Sequence, residues 1–240
     1  MGLGYLIVGL PLVLGIVVVK IIDFLERTRF PVRGISPSYF ASVALLFGLF
    51  ASLAATDAWQ RTNKTTMALA TEVSELRGIL RIAETQPAEQ SEIRKAIRTY
   101  IAGVNEHELT AQGAGATLAP PPLGLHQLYL IGAKSGAFQD NSSVNSSYLS
   151  ALEAVRAARV QRLELRRSHI PVRHFVILLL MGLLTQIAIG FSHGGNRVAT
   201  TYSVMLFSVA FSAAIYFIEA FDDPYSSGYA ASMAELQEVS

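Results

Sequence analysis

Four stretches of this chain contain no Asp, Glu, Lys or Arg: Met1–Val19, Gly34–Thr56, Phe175–Phe191 and Val198–Ile218. Each is close to the roughly 20 residues with which an α-helix crosses about 30 Å of hydrocarbon. They predict an all-α membrane protein with four transmembrane helices and a helical cytoplasmic domain inserted between spans two and three. Composition agrees, since 51% hydrophobic against 15% charged residues is too apolar for an ordinary soluble domain. The first stretch is not read as a secretory signal, because Lys20 follows the apolar run instead of preceding it, and the run exceeds a typical h-region. It is read as a retained span, in which neighbouring helices absorb the kink at Pro11.

The expected organisation is transmembrane helix 1 over 1–22, a short hairpin over 23–36, helix 2 over 37–59 and the helical domain over 60–172. Helix 3 then follows over 173–192, helix 4 over 198–220 and a cytoplasmic tail over 221–240. With four spans, both termini share a side with the middle domain. That side carries 14 of the 19 Lys and Arg, and Arg156, Arg159, Arg162, Arg166, Arg167 and Arg173 all lie within about 20 residues of span three. The bias places termini and middle domain in the cytoplasm, against four basic residues in the first hairpin. The absence of cysteine excludes disulfides, thiolate zinc sites and cysteine nucleophiles. No cofactor and no nucleic-acid partner are expected.

Span two runs without a breaker into polar sequence, where Leu69, Val73, Leu76, Leu80 and Ala83 follow a heptad-like stripe. One long helix leaving the membrane is expected. A second helix follows Pro87, with Ile93, Ile97, Tyr100 and Val104 on one face and Glu89 and Glu92 at its positive end. Loop-like sequence from Gly113 to Ser147 flanks a short apolar element, "LHQLYLIGAK". The N-x-S/T patterns at Asn63, Asn141 and Asn145 are read as chance matches on a cytoplasmic domain. A third helix is expected from about Tyr148 to His169, stopped by Pro171.

On that third helix Leu149, Leu152, Val160 and Leu163 form an apolar stripe with Arg156 at its centre and Arg159 on its flank. A guanidinium there snorkels to solvent or headgroups, or finds a carboxylate. Three acids at the exit of span four, Glu219, Asp222 and Asp223, are candidate partners for Arg156, Arg159 and Arg162, because both helix ends lie on one membrane face. Pairs within the middle domain are the remaining alternative.

No catalytic constellation emerges. "HEL" at His107–Leu109 lacks the second histidine of a zinc-protease helix, and Pro171 separates His169 from His174. An enzyme is not expected. In span two, Phe40, Val43, Phe47, Phe50, Ala54 and Asp57 recur at spacings of three or four, giving an aromatic face that ends in an acid. Such a face packs against lipid and neighbouring helices, or constricts a pore when copies surround an axis. Span four carries Thr201, Met205, Ser208, Ser212, Ile215 and Glu219 on one stripe, a small-residue surface suited to helix packing. Gln186, an amide in hydrocarbon, should face protein.

Three segments, "IRTYIAGVNEHEL" from Ile97, "RAARVQRLELRRSHIP" from Arg156 and "IEAFDDPYSSG" from Ile218, together resemble the bestrophin-like family of bacterial membrane proteins. The matching pieces are Tyr100, Val104 and Glu108, then Arg159, Arg162 and Leu163, Pro171, and Asp222 to Gly228. Leu109 departs from a position that looks tryptophan-like in many members, and Ser226 with Ser227 lengthens the gap before Gly228. True bestrophins are pentameric ion channels with four spans per subunit, cytosolic termini and a helical cytosolic domain, so the resemblance implies an oligomer. It also implies an axis running past the Phe40, Phe47 and Phe50 face of span two. Some bestrophins clasp calcium with an acidic cluster after span four. Glu219, Asp222 and Asp223 are too few acids for six to eight oxygen ligands, so no metal site is assigned.

The expected function is therefore an oligomeric, ion-conducting channel with an apolar neck on span two, acids at its cytoplasmic mouth, inorganic ions as cargo and the lipid bilayer as solvent. The alternative is a non-catalytic accessory or regulatory subunit that docks its cytoplasmic helices onto a larger membrane complex.

Overall fold

The computed structural model describes residues 2–28, 37–108, 123–134, 142–167, 172–193 and 195–222. All regular structure among them is helical: α1 (Gly2–Arg27), α2 (Pro37–Glu84), α3 (Pro87–His107), α4 (Leu123–Ala133), α5 (Ser142–Arg167), α6 (Val172–Ser192) and α7 (Arg197–Asp222). Four helices are long and apolar enough to cross a membrane: α1, α2, α6 and α7. The described residues fall into two compact units, the first holding those up to Gln60 together with α6 and α7, the second holding 61–108, 123–134 and 142–167.

In the first unit α1, α6 and α7 pack against one another. Gly15 makes the approach of α1 possible, because a Cβ there would collide with the Ser208 hydroxyl. Small residues at such crossings substitute for the hydrophobic drive that lipid removes. The helix α2 adds Phe47, whose ring meets Phe207 and Phe211 edge-on, with centroids 5.2 and 5.0 Å away. The α6–α7 turn closes on Gly195 at φ +93°, a left-handed conformation that glycine adopts without strain. Asn196 then caps α7, its Oδ1 accepting the Ala199 N–H at 3.1 Å.

Outward, this unit is greasy. Only 6% of the most apolar window of α2 is buried, against 39% for α6, so α2 is the least enclosed of the four.

The second unit has a core of Leu69, Val73, Leu76 and Ile79 from α2 and Ile93, Ile97, Tyr100 and Val104 from α3. Leu125 and Leu128 from α4 and Tyr148, Leu152 and Val155 from α5 complete it. The heptad-like stripe of α2 is buried apart from Leu80, which is half-buried. Pro87 opens α3, where its missing N–H costs nothing.

The short apolar element is a helix, α4. One sequence expectation needs correcting, because α5 begins at Ser142, six residues before Tyr148. The serine-rich segment read as loop is helical there, and the Ser146 and Ser147 hydroxyls bond back to the Ser143 carbonyl at 3.0 and 2.9 Å, so they do not draw the backbone into a turn.

Candidate functional site

The second unit contains a buried charged cluster assembled from three helices. Glu72 sits on α2, three residues after Leu69 and four before Leu76, on the face that enters the core. Glu108 immediately follows α3, four residues beyond Val104, and its N–H still bonds to the Val104 carbonyl at 2.9 Å. Arg159 and Arg162 extend the buried face of α5, which runs through Tyr148, Leu152 and Val155 at alternating steps of four and three. All four charged side chains are at most 5% exposed.

Arg162 is the hub. Its Nε donates to Glu72 Oε2 at 2.9 Å, and its Nη2 donates to Glu72 Oε1 at 3.3 Å and to Glu108 Oε2 at 2.7 Å. Arg159 Nε donates to Glu108 Oε1 at 2.8 Å. The Tyr100 hydroxyl donates to Glu72 Oε1 at 2.6 Å. Two carboxylates and two guanidiniums cancel in charge, which is how ionised groups tolerate burial. Burial, reinforced by the Glu72 charge, holds the Tyr100 hydroxyl well above its ordinary pKa. Desolvation likewise raises that of Tyr148, whose hydroxyl donates to the Leu128 carbonyl at 2.9 Å. The phenol is thus a fixed donor, and the arrangement serves as a clamp joining α2, the end of α3 and α5.

The spanning unit has a smaller polar knot. Gln186 Nε2 donates to the Pro11 carbonyl and to Ser208 Oγ, both at 2.9 Å, and the Ser208 hydroxyl donates to the Val204 carbonyl at 2.7 Å. Gln186 therefore faces protein, as its amide requires.

Several residues singled out in the sequence stand apart. The stripe of Phe40, Val43, Phe47, Phe50 and Asp57 straddles the border between the packed and open faces of α2. Phe47 is buried against α7, Phe40 and Val43 are half-buried, and Phe50 and Asp57 are exposed. The open face itself carries Leu45, Leu46, Leu49 and Leu53. Arg156 is not central to a buried stripe. Its side chain is 62% exposed and lies 3.6 Å from Glu153, because the buried face of α5 is rotated about a quarter turn from the one expected.

Glu219 is half-buried, Asp222 ends α7, and the side chain of Asp222 and all of Asp223 lie outside the described residues. The described acid partners of Arg159 and Arg162 are Glu108 and Glu72, the alternative of pairing within the middle domain. Among the described residues no group of three or more His, Asp and Glu converges as a metal site. Sequence reasoning passed over Glu72, although its spacing on the Leu69–Leu76 stripe marks it as inward-facing.

The three segments whose order first suggested a family supply most of this clamp: Tyr100 and Glu108 from one, Arg159 and Arg162 from another. Residues 5–236 match the family described as the bestrophin-like domain. The chain belongs to the bestrophin-like family. It is an integral membrane protein with four apolar helices and the bestrophin fold. A variant of a bacterial bestrophin homologue from Klebsiella pneumoniae superposes with a TM-score of 0.74 at 13% identity, covering 98% of each chain. A second variant of that homologue gives 0.72 at 14% identity, again over 98% of both chains. A structure described as a membrane protein gives 0.72 at 13% identity, over 100% of this chain and 99% of the other. No curated protein sequence matches the chain.

Proposed function

We propose that this bestrophin-like protein is an ion-conducting channel, assembled as a homo-oligomer with the open face of α2 around a central axis. The observation that carries the reading is the open apolar face of α2, whose most apolar window is only 6% buried within one subunit. On that open side Leu46, Phe50, Leu53 and Asp57 recur at steps of four, three and four and are all exposed. Copies around an axis would form an apolar neck that gates by dewetting, with a ring of carboxylates one turn beyond it favouring cations. Phe40, Val43 and Phe47 back this neck from the packed side. The termini and the second unit face the cytoplasm in this reading, with the spans in the inner membrane of a bacterium.

The decisive experiment combines particle stoichiometry in detergent with conductance in reconstituted bilayers. A symmetric homo-oligomer whose leak current rises when Leu46 and Phe50 become alanine supports the channel. A monomer held inside a larger assembly, with no conductance in either form, favours the accessory-subunit reading. The cysteine-free sequence permits single-cysteine labelling to fix the sidedness of the termini.

A further inference from the structure

At the end of the spanning unit that carries the α6–α7 turn, a cavity of about 250 Å³ opens between α1 and α7, lined by Lys20, Asp23, Glu26, Arg197, Thr200 and Thr201 over an apolar floor of Val19 and Ile22. We propose that this cavity holds the headgroup of a zwitterionic phospholipid of the phosphoethanolamine type.

The charge inventory carries the argument. Asp23 is shared between Arg27 at 2.7 Å and Arg197 at 2.9 Å, so these three groups largely satisfy one another. Glu26 Oε1 accepts the Gly195 N–H at 2.8 Å, which leaves its second oxygen to receive an ammonium. Lys20 has no acid partner among the described residues, lies one turn before Asp23 on the same helix face, and is exposed toward an incoming phosphate. The exposed Thr201 hydroxyl is a second phosphate donor. A purely anionic headgroup would meet Lys20 but be repelled by Glu26, and a bare cation would meet the reverse. A zwitterion satisfies both. A primary ammonium offers three N–H donors to the carboxylates, whereas a trimethylated one offers none.

Size and position agree. The cavity is smaller than the roughly 300–1,000 Å³ of sites for drug-sized ligands, so it admits a headgroup and leaves the acyl chains outside. Ile16 and Val17 on α1 and Val198 and Leu206 on α7 are exposed and offer an apolar path for those chains. Tyr202, also exposed, supplies the amphipathic aromatic ring favoured at a membrane–water boundary. The inference requires only that these helices span a bilayer, and it stands whether or not the protein conducts.

The test uses the full-length protein in detergent, titrated in native mass spectrometry with phosphatidylethanolamine, phosphatidylcholine and phosphatidylglycerol of identical acyl chains, and with soluble O-phosphoethanolamine. Phosphatidylethanolamine should be retained at least about 10-fold more tightly than the other two lipids. Lys20→Met and Glu26→Gln should each abolish most of that preference without moving the thermal midpoint. Should either variant fold poorly, Thr201→Val, at an exposed position, should weaken the preference in the same direction. Equal retention of the three lipids, tighter retention of phosphatidylglycerol, or a preference unchanged in the variants would overturn the proposal. Soluble O-phosphoethanolamine binding as tightly as the lipid would overturn the assignment to a membrane source.

Discussion

Arg162 and Glu72, 90 positions apart in the chain, meet at 2.9 Å with both side chains wholly buried. Taking both ions out of water is costly, and the cost is recovered only when every partner is present. Removing one partner should therefore do more harm than removing both.

Replacing Arg162 by Met leaves Glu72 and part of Glu108 uncompensated in the core. The variant should lose about 3–5 kcal/mol of stability. Glu72→Leu combined with Arg162→Leu, which leaves Arg159 paired with Glu108, should lose clearly less than the sum of the two single changes. A double-mutant cycle measured by denaturation in detergent gives the coupling. Additive losses would mean that the pair is not acting as a unit.

Gly15 and Ser208 offer a steric test in the spanning unit. Gly15→Ala should destabilise, because its Cβ would overlap the Ser208 hydroxyl. Adding Ser208→Ala removes that oxygen and should recover part of the loss, although it also withdraws an acceptor from Gln186, a bond worth about 0.6 kcal/mol on average within membranes. Thermal midpoints of the three variants decide the matter.

Alkaline pH should report on Tyr100. Its pKa is raised in the folded protein, so its contribution to stability is complete below the unfolded value of about 10 and is lost as pH climbs from there toward the folded value. Tyr100→Phe should flatten this decline above about pH 10. It should also lower stability near neutrality by about 1.5–3 kcal/mol, since Glu72 loses a hydrogen-bond donor. Tyr129, pushed up to about 12 by partial burial and by its bond to Glu153 at 2.8 Å, should behave similarly but respond to Glu153→Gln. Ultraviolet phenolate titration separates the two.

Asp57 is the acid on the open side of α2. If that side lines a pore, Asp57→Asn should move the reversal potential toward anions while leaving the subunit fold intact, because the position is exposed. A reversal potential that stays put would remove Asp57 from the conduction path.

Much of the architecture is visible in the residues themselves. The four charge-free stretches are long enough to span, the α2 stripe from Leu69 to Ala83 has helical period, and Ile93 to Val104 marks the inner face of α3. The site was only partly legible. Glu108 and Arg162 fall in segments that carry the family resemblance, yet no local pattern pairs them across 54 positions. Glu72 was hidden because heptad reading selects apolar residues and skips the acid between them. The stripe through Leu149, Leu152, Val160 and Leu163 puts Arg156 at its centre and Arg159 on its flank, whereas the packed face of α5 buries Arg159 and leaves Arg156 exposed. Phe47 looked like its neighbours Phe40 and Phe50, and only Phe207 and Phe211 on α7 turn it inward.

The sequence alone determined that the chain is helical and that four of its helices belong in a bilayer, because backbone satisfaction and apolar length are local properties of a segment. Which face of each helix is buried, and which carboxylate neutralises which guanidinium, was decided only in three dimensions. Those choices depend on atoms brought together from 28 to 90 residues apart, and the energy of a buried charge is set by its neighbours in space and not in sequence.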